Sequence, residues 1–109
     1  MEGLTTFPMR LWLYLVSQPL AMTTPFLRVT RTHPERDIPV TFAPELYQLR
    51  GALPYVLTPQ FITADPEQFL RAADLMPPLL SPILEINCGC PSPNSLGRLA
   101  GSGMLHDAE

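Results

Sequence analysis

The first apolar segment of the chain has the spacing of a helix. Apolar residues recur every three or four positions, at Phe7, Leu11, Tyr14 and Leu15, with a second stripe at Trp12 and Val16. Pro19 ends the pattern, because proline cannot continue a helix. Since the apolar residues face several sides, the pattern predicts a buried helix. The apolar window is too short and too broken at residues 17–19 to supply the ~20 residues of a membrane span.

Three short segments downstream favour β-structure. Residues 25–30 (PFLRVT), 55–63 (YVLTPQFIT) and 83–87 (ILEIN) are rich in β-branched and aromatic or aliphatic side chains and are predicted to be strands. Pro59 lies inside the second of them and cannot donate a hydrogen bond to a neighbouring strand. We therefore expect a bulge or bend at Pro59.

A helix is predicted between the second and third strands. Asp65 can cap it, Pro66 suits its first position, and Gln68 can reach back as in a capping box. Its apolar face comprises Phe69, Ala72, Ala73 and Met76, and Pro77 and Pro78 stop it. With a further helix expected near Gly101, strands and helices alternate, which indicates an α/β protein built from parallel βα units.

Composition narrows the function classes. The 109 residues carry a net charge of −3, and all seven cations are arginines, so the overall charge does not favour nucleic-acid binding. The two cysteines, Cys88 and Cys90, are separated by one residue, which is poor geometry for a disulfide. We therefore expect a reducing, cytoplasmic setting. The length suits either one small domain or part of a barrel of about 250 residues.

Polar residues cluster where the predicted strands end. Gln60 lies in the second strand, Asn87 ends the third, and residues 88–91 (CGCP) follow at once. In parallel βα folds the reactive groups collect at these carboxyl ends. Pro91 favours an extended backbone at Cys90, and Gly89 allows a sharp turn before it. The turn therefore presents a thiol at a fixed place.

Each of these residues also has an interpretation without chemistry. Free cysteines are often small buried side chains, and a zinc site would need His33 and His106 at no recognised spacing. Gln60 and Glu85 could be satisfied polar groups within the sheet. The glycine pair Gly101 and Gly103 fits either helix entry or close approach of a ligand. The residues alone leave these alternatives open.

The order of these features resembles one enzyme family. Residues 1–3 (MEG), Gln60, residues 65–67 (DPE), residues 85–92 (EINCGCPS) and residues 101–105 (GSGML) together resemble the amino-terminal part of a tRNA-dihydrouridine synthase. Residues 26–29 (FLRV) and 44–46 (PEL) add a likeness to the bacterial branch that modifies position 16. The chain departs from the family pattern at Pro25, where relatives often have glutamate, and after Cys90, where the usual lysines are missing.

The resemblance implies a flavoenzyme that acts on tRNA. Such enzymes use FMN on a TIM barrel to reduce the 5,6 double bond of uridine, and NADPH recharges the flavin. By motif, Cys90 is the residue that protonates the base, Asn87 lies beside the base, and Met1, Glu2 and Gln60 contact the flavin. The resemblance implies no metal and no membrane, and a monomer when the enzyme is full-length.

The resemblance also implies that the chain is one part of a barrel. Residues 1–109 would form roughly the first half of the (β/α)8 catalytic domain, incomplete at both ends, so that the isolated fragment is expected to be inactive and to bind FMN weakly. Two alternatives stay open: another FMN-dependent barrel oxidoreductase acting on a free pyrimidine-like ring, and a non-catalytic gene remnant.

Overall fold

Three parallel strands form the sheet of the computed structural model, which describes residues 4–30, 42–49, 52–74, 76, 83–97 and 99–106. The strands are β1 (Ala21–Arg28), β2 (Val56–Ile62) and β3 (Glu85–Ile86), in the order β1-β2-β3. The helices are α1 (Phe7–Ser17), α2 (Pro44–Gln48), α3 (Pro66–Asp74) and α4 (Pro93–Leu96), followed by a 3-10 helix at Gly101–His106. The predicted α/β class with parallel strands is confirmed.

The predicted irregularity at Pro59 is present, but the extra residue lies in the neighbouring strand. Thr23 pairs with Thr58 and Phe26 with Gln60, so β1 uses one residue more than β2 over this interval. Pro25 occupies the bulge, where its missing N–H costs no ladder bond. Because residues on both sides of the bulge pair with β2, β1 begins at Ala21, four residues before the predicted start. The prediction that Pro25 opens the strand was wrong.

The amino terminus of α3 has the predicted cap. The Asp65 carboxylate accepts the backbone N–H of Glu67 at 3.0 Å and that of Gln68 at 3.4 Å. The Gln68 amide donates to the same carboxylate at 2.9 Å rather than accepting the Asp65 backbone N–H, which donates to Thr63 at 3.1 Å. The predicted stop at Pro77 and Pro78 lies outside the described residues.

The prediction that α1 is a buried helix was wrong. Its apolar side chains are largely exposed, with Trp12 at 56% and Leu15 at 70%, and Tyr14 reaches the core by packing against Tyr55. Apolar residues around a helix show that it lacks a polar face, but they do not show that the neighbouring elements cover it. No helix among the described residues is long and apolar enough to cross a membrane.

Arg10 is the buried residue of α1, and it forms an ion pair with Glu45 of α2. Both side chains are fully buried, and the guanidinium Nε lies 2.6 Å from the carboxylate Oε1. Arg10 also donates to the main-chain oxygens of Thr5 and Phe42. The helix α2 was not predicted, because it has five residues and no apolar period long enough to detect.

The two faces of β2 pack against two different apolar clusters. The larger core lies on the face of Leu57 and Phe61 and comprises Ala43, Leu46, Tyr55, Leu57, Phe61, Ala72 and Met76. Gln60 and Ile62 lie on the opposite face, since successive strand side chains alternate. Ile62 packs there with Phe26 and Ala100, and Cys90 packs against this smaller cluster.

Candidate active site

A chain of side-chain amides connects the carboxyl ends of β2 and β3. Gln60 Nε2 donates to Glu85 Oε2 at 3.0 Å, and Asn87 Nδ2 donates to Gln60 Oε1 at 2.9 Å. A carboxylate only accepts hydrogen bonds, so Glu85 fixes the orientation of Gln60, and Gln60 in turn fixes that of Asn87. The order of donors leaves Asn87 Oδ1 directed at the loop after β3.

Asn87 holds the loop that carries the cysteines. Its Oδ1 accepts the backbone N–H groups of Gly89 and Cys90, each at 3.0 Å. An added Cβ at Gly89 would meet no atom within 4 Å, and Gly89 does not have a positive φ. The turn that we attributed to Gly89 is therefore enforced by the Asn87 side chain.

The main chain of Cys90 packs directly against the start of the 3-10 helix. Ser102 donates to the Cys90 carbonyl through both its backbone N–H and its hydroxyl, at 3.1 Å each. Gly101 has a φ of +62°, and a Cβ there would lie 2.6 Å from the same carbonyl oxygen. Gly101 is the first residue of the 3-10 helix, so the helix-entry interpretation is confirmed, and the backbone that it lets approach closely is that of Cys90.

The Cys90 thiol is surrounded by polar donors. Ser95 Oγ donates to the sulfur at 3.5 Å, and Ser95 Oγ lies 3.0 Å from Ser92 Oγ. The hydrogen bond from Ser95 lowers the pKa of the Cys90 thiol below its usual value, and the backbone N–H and hydroxyl of Ser92 act in the same direction. Burial opposes them with a smaller effect, and the positive charge of Arg28 adds the smallest lowering effect. The environment thus favours the thiolate that remains after Cys90 gives up a proton.

Ser95 and Arg28 are site residues that the sequence analysis did not place beside Cys90. Arg28 Nη2 donates to Ser95 Oγ at 3.0 Å, and Nη1 lies 3.5 Å from the carbonyl oxygen of Asn94. Ser95 lies in α4, which was not predicted. Pro93 at the first helical position after a serine is a helix-start signal that could have located this turn.

The two cysteines differ in their exposure and in their contacts. Cys90 is partly buried, whereas Cys88 is exposed and its sulfur lies 3.8 Å from the carbonyl oxygen of Ile86. The interpretation as two small buried side chains therefore fails for Cys88. Among the residues that the structure describes, no three His, Cys, Asp or Glu side chains come together as a metal site. His33, one of the two histidines considered for zinc, lies outside them.

The amides and the thiol line one open cavity of about 570 Å³, a size typical of small-ligand sites. Its walls comprise Phe26, Gln60, Ile86, Asn87, Cys88, Gly89, Cys90, Pro91 and Ser92. The cavity thus offers apolar surface at Phe26 and Ile86 beside the amides of Gln60 and Asn87. Gln60, Asn87 and Cys90 are thus brought together as the sequence predicted, while Met1 and Glu2 lie outside the described residues.

Comparison with known proteins identifies the family. A model of the dihydrouridine synthase (Dus) family matches residues 1–109. Searches of curated proteins and of solved structures each gave no match. The family match covers every residue of the chain, including the loop that carries Cys90. The chain therefore belongs to the dihydrouridine synthase family.

Proposed function

We propose that the protein carrying this chain reduces the 5,6 double bond of uridine in tRNA, with FMN as cofactor and NADPH as reductant. The observation that carries this proposal is the Cys90 thiol, set in the wall of the cavity beside the Gln60 and Asn87 amides. The family acts on tRNA, and its catalytic domain is a TIM barrel. A sheet of three parallel strands is consistent with part of such a barrel.

The cavity has groups that suit the flavin ring. Phe26 and Ile86 offer apolar surface, and Gln60 presents an amide that is already oriented by Glu85. FMN bound there would supply the hydride for one carbon of the double bond, and NADPH would restore the reduced flavin. Gln60 would hold the ring edge, together with Met1 and Glu2 on the strength of the motif. No cation among the described residues lines the cavity.

Cys90 is proposed to be the general acid. Its S–H bond breaks as a new C–H bond forms at the carbon that does not receive the hydride, so the double bond gains one hydride and one proton. The cysteine is left as a thiolate, which takes a proton from water for the next turnover. Ser95 and Arg28 favour that thiolate, and Cys88 is exposed and makes none of these contacts.

Asn87 is proposed to connect the base to the acid. Its Oδ1 is occupied by the loop, and its Nδ2 carries two hydrogens, of which Gln60 accepts one. A uracil beside Asn87 would therefore contact the residue that also fixes the Cys90 main chain. The free thiols and the tRNA substrate support a cytoplasmic site of action.

The proposal is tested on the protein expressed from its entire reading frame. We expect a yellow protein that forms dihydrouridine in unmodified tRNA with NADPH and leaves free uridine and uracil unchanged. Reduction of the free pyrimidines without reaction on tRNA would favour the alternative barrel oxidoreductase. A colourless protein that is inactive on all of these substrates when FMN is added would favour the gene remnant and overturn the proposal.

A further inference from the structure

We infer that Ser95 is a positioning residue for the Cys90 thiol and that Arg28 sets the direction in which the Ser95 hydroxyl donates. The catalytic meaning of this inference rests on the proposed function, whereas its hydrogen-bond geometry does not. Ser95 is fully buried in α4, and Arg28 reaches it from the end of β1. Residues 67 positions apart in the chain thus meet behind the sulfur.

The direction of the hydrogen bonds follows from the number of donors and acceptors. A serine hydroxyl has one hydrogen and two lone pairs, and an arginine side chain can only donate. Arg28 Nη2 therefore fills one lone pair of Ser95 Oγ, at 3.0 Å. When Ser92 donates to the second lone pair, also at 3.0 Å, the single hydrogen of Ser95 is left for the Cys90 sulfur.

In this arrangement the Cys90 sulfur accepts a hydrogen bond from Ser95. The hydrogen of the thiol itself is then not consumed by Ser95 and is free to point into the cavity, where the substrate base would lie. When that proton has left, the same Ser95 hydrogen bond and the nearby guanidinium stabilise the thiolate. Ser95 thus acts on the proton transfer without touching the substrate.

The α4 turn fixes Ser95 in place. Its backbone N–H donates to the Ser92 carbonyl, and its own carbonyl accepts the N–H of Ala100, each at 2.9 Å. A buried hydroxyl is costly unless its hydrogen bonds are satisfied, so the Ser95 side chain is held to these partners.

Arg28 is the charged group that acts on the sulfur within the described part of the chain. The cluster against which Cys90 packs consists of Phe26, Ile62 and Ala100, and residues 100–102 and the α4 turn contain no ionisable side chain. Cys88, the other titratable group of the loop, directs its sulfur to the carbonyl oxygen of Ile86 instead. Removal of Ser95 or Arg28 is therefore expected to act on the thiol directly.

The test measures the pH dependence of Cys90 alkylation by iodoacetamide. It uses the protein expressed from its entire reading frame, in a Cys88→Ala background, so that Cys90 is the thiol of this loop that reacts. Ser95→Ala is expected to move the midpoint to higher pH and to slow alkylation at pH 7, by about tenfold for each pH unit that the midpoint moves. Arg28→Met is expected to move the midpoint in the same direction.

Ser102→Ala is the matched control. It also removes a hydroxyl that bonds to Cys90, but that hydroxyl contacts the main-chain oxygen and not the sulfur. We expect its alkylation midpoint to equal that of the parent protein. An unchanged midpoint in folded Ser95→Ala, or in Arg28→Met where Ser95→Ala does not fold, overturns the inference.

A second readout separates this inference from the proposed function. Because a general acid must be protonated, dihydrouridine formation should fall as pH rises through the Cys90 pKa, and the fall should move to higher pH in Ser95→Ala. If the alkylation midpoint moves and the activity profile does not, the hydrogen-bond inference stands and the role of Cys90 as the acid fails.

Discussion

The side-chain oxygen of Asn87 accepts the backbone N–H of Cys90 at 3.0 Å. The residue proposed to lie beside the target base is thereby also the residue that positions the proposed acid. The orientation of Asn87 depends on Gln60 and, through it, on Glu85. A carboxylate within the sheet thus determines how the loop after β3 is held.

Asn87→Ala should loosen this loop. Two backbone N–H groups lose their acceptor, and we expect a loss of about 1–3 kcal/mol in the free energy of unfolding, measured with denaturant. Asn94→Ala is the matched control, because Asn94 is exposed and contributes its carbonyl oxygen, not its side chain, to the contact with Arg28. Equal stabilities of the two variants would contradict the role given to Asn87.

Two glycines near the site should respond differently to alanine. Gly101→Ala places a Cβ 2.6 Å from the Cys90 carbonyl oxygen at a φ of +62°, so it should cost more than about 1 kcal/mol in the free energy of unfolding. Gly89→Ala meets no atom within 4 Å and should stay within about 0.5 kcal/mol of the parent. Denaturant unfolding of both variants checks this, and the reverse ranking would show that the loop has another conformation.

The sequence predicted those parts of the fold that rest on local signals or on the general geometry of parallel βα units. The cap at Asp65 depends on residues within three positions of it and was confirmed, as were the parallel strands and the grouping of Gln60 with Asn87 and Cys90. By contrast, the bulge beside Pro59 lies in β1, because a strand irregularity belongs to a pair of strands and its position cannot be read from one.

Individual side-chain contacts between distant parts of the chain could not be predicted from the sequence. The pairing of Arg10 with Glu45 spans 35 positions, and that of Arg28 with Ser95 spans 67. Nothing near Arg10 in the chain marks a partner for its charge. The exposure of α1 was missed for the same reason, since covering a helix depends on elements far away in the chain.

The buried ion pair should be sensitive to the loss of one partner. Arg10→Met leaves the fully buried Glu45 carboxylate without its cation and should cost about 3–5 kcal/mol in the free energy of unfolding. Arg10→Met combined with Glu45→Leu removes both charges and should recover most of that loss. Denaturant titration of the single and double variants provides the measurement. A double variant less stable than Arg10→Met would contradict the prediction.

Stability should depend on pH through Cys90. Its pKa is lowered in the folded protein by the Ser95 hydrogen bond, so the folded state favours the thiolate more than the unfolded chain does. The resulting stabilisation is fully present above the unfolded thiol pKa and is lost as pH falls through the folded pKa. Relative to Cys90→Ala, the parent should gain stability as pH rises across that window. Denaturant midpoints at a series of pH values measure it, and a flat difference would contradict the lowered pKa.

The most direct test of the central claim compares Cys90→Ala with Cys88→Ala in the protein expressed from its entire reading frame. Dihydrouridine formation on unmodified tRNA is measured with NADPH, and flavin content is checked by absorbance. Loss of a positioned proton donor is typically worth ~10²–10⁴ in rate, so Cys90→Ala should lose that much turnover while it retains flavin. Cys88→Ala, which changes an exposed side chain, should stay close to the parent. A dead Cys88→Ala beside a near-normal Cys90→Ala would contradict the assignment of the general acid.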